Sequence, residues 1–582
     1  MSNITASNAK RLAMALKKNG VTNIFAQSNP FPIVLACNDL GIRQIGFRQE
    51  NAGAYMAQAY GMCSGTVPVV AAQCGPAAAL LVAGLAECFK AGHPVVAIVQ
   101  DIATPTLNKN AFQELDHFKL FSGVSKWVDK IPCQERIEDY VDMAFVAAAS
   151  GRPGPAVLLC PTDMFMNTAE YPVDDKRKAC LGRYPLDRNI ADPAKIEEAA
   201  ELLANAERPF IYAGGGLISS GGQEEIRQIQ EECAIPVATT SMGKGSIDEG
   251  HPLSMGPIGY YMGKRGYAKF LKPMVKEADV ILLVGNRTNQ NGTDVWTLLP
   301  YGATYIQIDV EPLEVGRNYE ALRLIGDAKL TLAALKDALL KKDLKKRIEK
   351  RAALEAHIAE AKEAHIKEAS DVTESNKSPV RIERFLAELD RQLTKDHIIV
   401  SDASFSSVWL SNYISAKDNR KFVFPRGIAG IGWGLPLAIG AKVAQPGRKV
   451  FCLAGDGGFA HVWSELETCR REKVNVVIAI INNSVLGYQK WYEKVLVGRY
   501  TNVCDLTYVD HVAIAEACGV KGIRVGRTEE IEGAIKEAFA TDGPVLIDVM
   551  TDPRCVPPID LLERLDEVTA VRLKFADRHV IC

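Results

Sequence analysis

The chain of 582 residues is 47% hydrophobic and 24% charged, and its 68 basic and 70 acidic residues leave a net charge of −2. That length and balance suit about three or four domains with sizeable cores, and they give no basic surface for nucleic acid. No apolar run reaches the ~20 residues of a membrane helix, and residues 1–20 read as an amphipathic helix rather than a signal peptide. The 14 cysteines have no CxxC pair and no metal spacing, which suits the reduced thiols of a cytoplasmic enzyme.

From residue 1 to about 175, helix and strand patterns alternate. Strands are predicted at residues 22–26, 44–47, 67–72, 94–99 and 156–159, the arrangement of a doubly wound parallel sheet. Glu50 follows the second of these at the start of a small-residue helix, where the helix dipole favours a carboxylate. Further on, a strand enters the Gly75-Pro76 turn; Cys74 beside it reads as a buried small hydrophobe. The segment Asn110-Ala111-Phe112-Gln113-Glu114 is, taken alone, a polar loop.

Residues 190–340 repeat the pattern, with strands predicted at 209–213, 235–239, 280–284 and 305–308. Gly214-Gly215-Gly216 lacks the GxGxxG spacing, so a nicotinamide-dependent Rossmann enzyme is disfavoured. Residues 341–378 carry interleaved Lys and Glu at helical spacing, a solvated helix followed by a linker. The last α/β unit spans 379–550, and a tail of unassigned role covers 551–582.

Within that last unit, a strand at 450–453 ends in Gly455-Asp456-Gly457-Gly458. A helix is predicted next, with Phe459, Val462, Trp463 and Leu466 on one face, and a second strand at 474–481 ends in Asn482-Asn483. Two polar tips then share the carboxyl end of a parallel sheet, where ligands of such sheets sit. Asp456 and Asn483 offer hard oxygens suited to Mg2+. Gly455, Gly457 and Gly458 let backbone N–H groups approach phosphate. An ordinary strand-to-helix turn beside an Asn-Asn loop would give the same letters.

Gly455-Asp456-Gly457 followed 27 residues after Asp456 by Asn483 resembles the diphosphate motif of thiamine diphosphate (ThDP)-dependent enzymes. The resemblance covers nearly the whole chain and is closest to the acetolactate synthase-like branch. It implies an α/β fold of three doubly wound parallel-sheet domains: pyrimidine-binding (1–175), central and nucleotide-binding-like (190–340), and diphosphate-binding (379–550), with 341–378 as a helical linker. It implies Mg2+ held by Asp456, Asn483 and the backbone carbonyl of Val485. It places Glu50, buried, against N1′ of the aminopyrimidine, so that the 4′ nitrogen becomes a base. Ile431, in the glycine-rich stretch at 427–434, would wedge beneath the cofactor and bend it. Phe112 and Gln113 would line the substrate pocket, the amide offering hydrogen bonds without charge. Lys126 matches a basic residue near the active-site entrance, and residues 486–491 would face substrate.

Departures from the family pattern are Gln73-Cys74 and Ala77 around the Gly-Pro turn, with Gln73 placed to face the active site, and Ser122 where an arginine is common. The latter weighs against standard pyruvate-plus-pyruvate chemistry. In relatives the central domain holds FAD, an adenine nucleotide or nothing; Arg287 and Asp309 stand at strand ends where such a group would lie. Glu50 and Asp456, in different domains, would converge across the interface of a homodimer or homotetramer. The implied reaction is decarboxylation of a 2-oxo acid and carboligation of the enamine to a second carbonyl. Alternatives are a 2-hydroxyacyl-CoA or oxalyl-CoA lyase, a sulfoacetaldehyde acetyltransferase-like enzyme acting with phosphate, and a non-catalytic subunit of the same fold.

Overall fold

Short runs of Val, Ile, Leu and Ala closed by glycine or polar tips become strands buried on both faces, the mark of parallel sheets covered by helices. The computed structural model describes residues 3–172, 179–418 and 420–567. The described residues form three six-stranded parallel sheets. The first orders its strands as Arg43–Ile45, Asn23–Ala26, Val69–Ala72, Val95–Asp101, Pro155–Pro161 and Trp127–Lys130. The second runs Ser254–Pro257, Val237–Thr239, Phe210–Ala213, Val280–Val284, Thr304–Asp309 and Ala321–Ile325. The third runs Lys421–Val423, His397–Ser401, Lys449–Gly455, Val477–Asn482, Val545–Met550 and Lys521–Val525.

Several elements differ from the sequence reading. The N-terminal helix is confined to Asn8–Lys18, because Asn3–Ser7 pairs antiparallel with Thr168–Pro172. The charged segment near 341–378 holds one long helix, Lys345–Thr373, which buries Ile358, Ala361, His365, Ala369 and Val372 and is therefore not solvated all round. The helix expected after the Gly-Asp-Gly turn is broken. A short helix, Asp456–Phe459, is separated by turns from Glu465–Glu472. Phe459, Val462 and Leu466 still enter the core, but the break turns Trp463 outward, 44% exposed.

Of the tail, residues 560–567 are helical and dock on the central unit. Glu563 accepts from the Lys264 N–H at 2.8 Å and Lys272 pairs with Asp560 at 2.7 Å. Residues 568–582 lie outside the described ones. Among the described residues no helix is long and apolar enough to cross a membrane, and every cysteine is a free thiol.

The first and third units share one core. Helix Glu50–Ser64 lies against helix Gly434–Ala444, and Tyr55, Met56, Trp433 and Leu437 belong to one buried cluster. Close approach of the two helices depends on Gly440, where an added Cβ would sit 2.0 Å from the Met56 carbonyl oxygen. Overpacking a helix crossing costs about 1–3 kcal/mol. Gly440→Ala is therefore expected to lower the thermal unfolding midpoint clearly, while Gly447→Ala, with nothing near its Cβ position, leaves it unchanged.

Candidate active site

Parallel pairing sets Gly455 beside Ile481, so the ends of strands Lys449–Gly455 and Val477–Asn482 meet at one rim. Asp456 stands on that rim and is 8% exposed. Its Oδ1 accepts from the Gly457 N–H at 2.8 Å, and its Oδ2 accepts from the N–H groups of Asn483 at 3.1 Å and Ser484 at 2.6 Å. Burial pushes this carboxyl up from its ordinary pKa, and the three N–H donors pull it back. The two asparagines divide their tasks. Asn482 turns inward and donates to Asp548 at 2.9 Å, while Asn483 Oδ1 accepts from the Val485 N–H at 3.3 Å. Asp456, Asn483 and Val485 are thus brought together by backbone bonds. Their carboxylate, amide and carbonyl oxygens are the hard donors a Mg2+ ion takes, and the Cβ direction of Gly455 is open space.

The glycine-rich stretch at 427–434 folds over this rim. A Cβ on Gly458 would lie 3.4 Å from the Ile431 Cβ, and Ile431 keeps 36% of its surface exposed. Two buried carboxylates that the sequence reading passed over hold the stretch. Glu87, fully buried on helix Pro76–Ala91 of the first unit, accepts from the N–H groups of Gly427 at 2.7 Å, Ile428 at 2.6 Å and Ala429 at 3.2 Å. Asp402 accepts from Gly432 at 3.0 Å and Trp433 at 3.2 Å. Burial raises both carboxyls, Asp402 to about 6. The one signal for Glu87 was a single carboxylate inside an otherwise small and apolar helix.

Glu50 opens helix Glu50–Ser64, whose N-cap Gln49 makes no side-chain cap bond. Glu465 of the third unit holds the segment leading into the helix, accepting from the Arg48 N–H at 2.9 Å and the Gln49 N–H at 3.3 Å. Glu50 is half-buried rather than buried, because it sits at the exposed first turn of its helix. Among the described residues, no hydrogen bond or ion pair joins it to Asp456, Asn483 or Val485 of the same chain.

Gln113 and Gln73 meet: Gln73 Nε2 donates to Gln113 Oε1 at 2.9 Å. Phe112 beside them projects into solvent, 84% exposed. Lys126 donates to the Ser150 carbonyl at 2.7 Å, on the side facing the central unit. Residues 486–491 begin the helix Gly487–Val497, and Tyr488 packs edge-on against Phe405. Cys74 is buried, as its small-hydrophobe reading expects.

A separate cavity of about 630 Å³ lies where the three units meet. Arg287 and Asp309, at the ends of adjacent strands Val280–Val284 and Thr304–Asp309, both line it, as do Arg152 and Glu314. Burial pushes Asp309 up to about 6.

Three family profiles match the sequence in order. They are described as thiamine pyrophosphate enzyme N-terminal TPP binding domain (residues 7–120), central domain (196–335) and C-terminal TPP binding domain (402–549). The chain is 34% identical over 569 residues to a probable acetolactate synthase large subunit of Methanocaldococcus jannaschii, covering 94% of this chain and 93% of that protein. It is 33% identical over 530 residues to the probable counterpart of Methanococcus aeolicus, covering 88% and 86%. To the acetolactate synthase isozyme 2 large subunit of Escherichia coli K12 it is 27% identical over 549 residues, covering 94% and 95%.

The Glu87 clamp yields a direct test. Glu87→Gln keeps the shape but replaces an acceptor oxygen by an N–H2 that opposes the loop donors. Charge-assisted bonds are worth about 1.5–3 kcal/mol, so amide hydrogen exchange at Gly427, Ile428 and Ala429 is expected to quicken by about tenfold or more, while strand Val95–Asp101 keeps its protection.

Proposed function

The chain belongs to the thiamine pyrophosphate enzyme family, in its acetolactate synthase-like branch, and from that premise we propose that it decarboxylates a 2-oxo acid and joins the remaining fragment to a second carbonyl. The observation that carries this reading is the rim at Asp456, Asn483 and Val485, one carboxylate, one amide and one carbonyl tied together by N–H bonds. Bound ThDP would supply a nucleophilic carbon and a sink for the electron pair that the departing CO2 leaves behind. The chain's own residues bind and orient that group. Asp456, Asn483 and the Val485 carbonyl would hold Mg2+, and Gly455, Gly457 and Gly458 would let the backbone approach the diphosphate. Glu50 would hold a proton at the pyrimidine N1′. Ile431 would support the cofactor from below, and Phe112 and Gln113 would line the substrate side.

Among the described residues no hydrogen bond or ion pair joins Glu50 to Asp456, and Ile428 and Ile431 of the glycine-rich stretch leave apolar surface open. Both observations support a homodimer or homotetramer whose sites form between subunits. The central cavity, with Arg287 and Asp309 at neighbouring strand ends, supports FAD or ADP as an occupant. Free thiols throughout the described residues support a cytoplasmic setting.

Incubation with ThDP, Mg2+ and a panel of 2-oxo acids and acyl-CoAs, with products identified by mass spectrometry, tests the reaction class. A carboligated hydroxy-oxo acid is expected; products formed only from acyl-CoAs would replace this reading by the lyase one. Glu50→Gln should lower turnover by about 10²-fold or more without loss of folding, the usual scale of a proton-transfer group. Undiminished turnover would reject the proton-holding role.

A further inference from the structure

Gln113 is held with unusual care for a loop residue. Its backbone has φ +61°, and it is packed against the Gly75 turn so closely that a Cβ on Gly75 would lie 2.8 Å from both the Gln113 Cβ and its carbonyl oxygen. The turn is pinned from behind. The Gly75 N–H donates to His117 Nε2 at 3.0 Å, so the ring proton sits on Nδ1, 2.9 Å from Asp101, which in turn pairs with Lys130 at 2.5 Å. His117 and Asp101 are both buried.

The Gln113 side chain is oriented by a second chain of bonds. Asn29 Nδ2 donates to Gln73 Oε1 at 3.3 Å, and Gln73 Nε2 donates to Gln113 Oε1 at 2.9 Å. Each amide spends its carbonyl on the preceding donor. The bond turns the Gln113 carbonyl toward Gln73 and its N–H2 end away, and among the described residues no hydrogen bond from that end is found. Gln73 is one of the positions where this chain departs from its family's usual pattern around the Gly-Pro turn.

We propose that Gln73 is a positioning residue that fixes which end of Gln113 faces the substrate, and that the site thereby selects an anionic oxygen, the carboxylate of a 2-oxo acid. A fixed N–H donor attracts a carboxylate, whereas an amide free to rotate would also offer its carbonyl, which repels one. Pre-orientation removes the ordering cost that substrate binding would otherwise carry. The proposal rests on the ThDP-dependent reading above, with Gln113 on the substrate side.

A double-mutant cycle separates an action through Gln113 from a loop-stitching role. Gln73→Met and Gln113→Met are made singly and together, and KM and kcat are measured with ThDP and Mg2+ for whichever 2-oxo acid the wild type consumes fastest in the panel. Loss of one oriented hydrogen bond predicts an increase in KM of about tenfold for Gln73→Met with kcat nearly unchanged. In the Gln113→Met background the same change should add nothing. An unchanged KM in Gln73→Met overturns the proposal, and so do effects that multiply across the cycle. ThDP binding, titrated separately on all four proteins, is expected to be equal. If the wild type fails to bind ThDP, the functional reading and this proposal with it fall; if ThDP binds and only the KM pattern fails, the role of Gln73 alone falls.

Discussion

One buried carboxylate organises the rim on which the proposed chemistry depends. Asp456 closes the ends of two adjacent parallel strands by accepting three backbone N–H groups, one from its own turn and two from the Asn483–Ser484 corner. Burial alone would favour the neutral acid; the converging donors favour the anion. A charge kept in a poorly solvated place can do what a surface aspartate cannot, namely hold a hard cation against a phosphate with little competition from water. The same bonds set the spacing between Asp456, Asn483 and Val485, so the strand register and the proposed metal grip are one constraint.

The device recurs where the first and third units meet. Glu87 grips three N–H groups of the 427–429 segment, and Glu465 grips the Arg48 and Gln49 N–H groups just before the helix that begins at Glu50. Each is a carboxylate of one unit satisfied by backbone donors of the other. Bonds of this kind leave no buried charge unpaired and do not depend on long flexible side chains. They fix two parts that, in the proposed dimer, would serve two different cofactor sites: the helix start that presents Glu50 and the loop that presents Ile431. Because the 427–429 segment also borders the central cavity, the loop that presents Ile431 and that cavity share a wall.

The interior of each sheet was legible because fully buried strands need apolar runs, as Val69–Ala72 and Val280–Val284 have. Several edge strands were not. Trp127–Lys130 is only half-buried along its length, and Lys521–Val525 alternates too weakly to stand out, so pairing with a neighbour decides them. The Gly-Asp-Gly turn and the Asn-Asn tip were readable as letters, since glycine, carboxylate and amide each have a distinct chemical use there. Glu87, Asp402 and Glu465 were not, because their partners are backbone groups hundreds or tens of residues away, and backbone donors leave no trace in composition. Gln73 was visible as a departure from a pattern; its meaning needed the contact with Gln113. Trp463 went astray because an amphipathic pattern was extended through residues 460–464, where the chain turns instead.

The central claim is that Asp456 anchors a diphosphate through Mg2+. Titration of the purified protein with ThDP, with Mg2+ present and after chelation, tests it most directly when repeated on Asp456→Asn. The account predicts saturable binding only with the metal, weakened by about 10²-fold in Asp456→Asn, the scale on which metal-site changes act. Metal-independent binding, or binding as tight in Asp456→Asn as in the wild type, would contradict it.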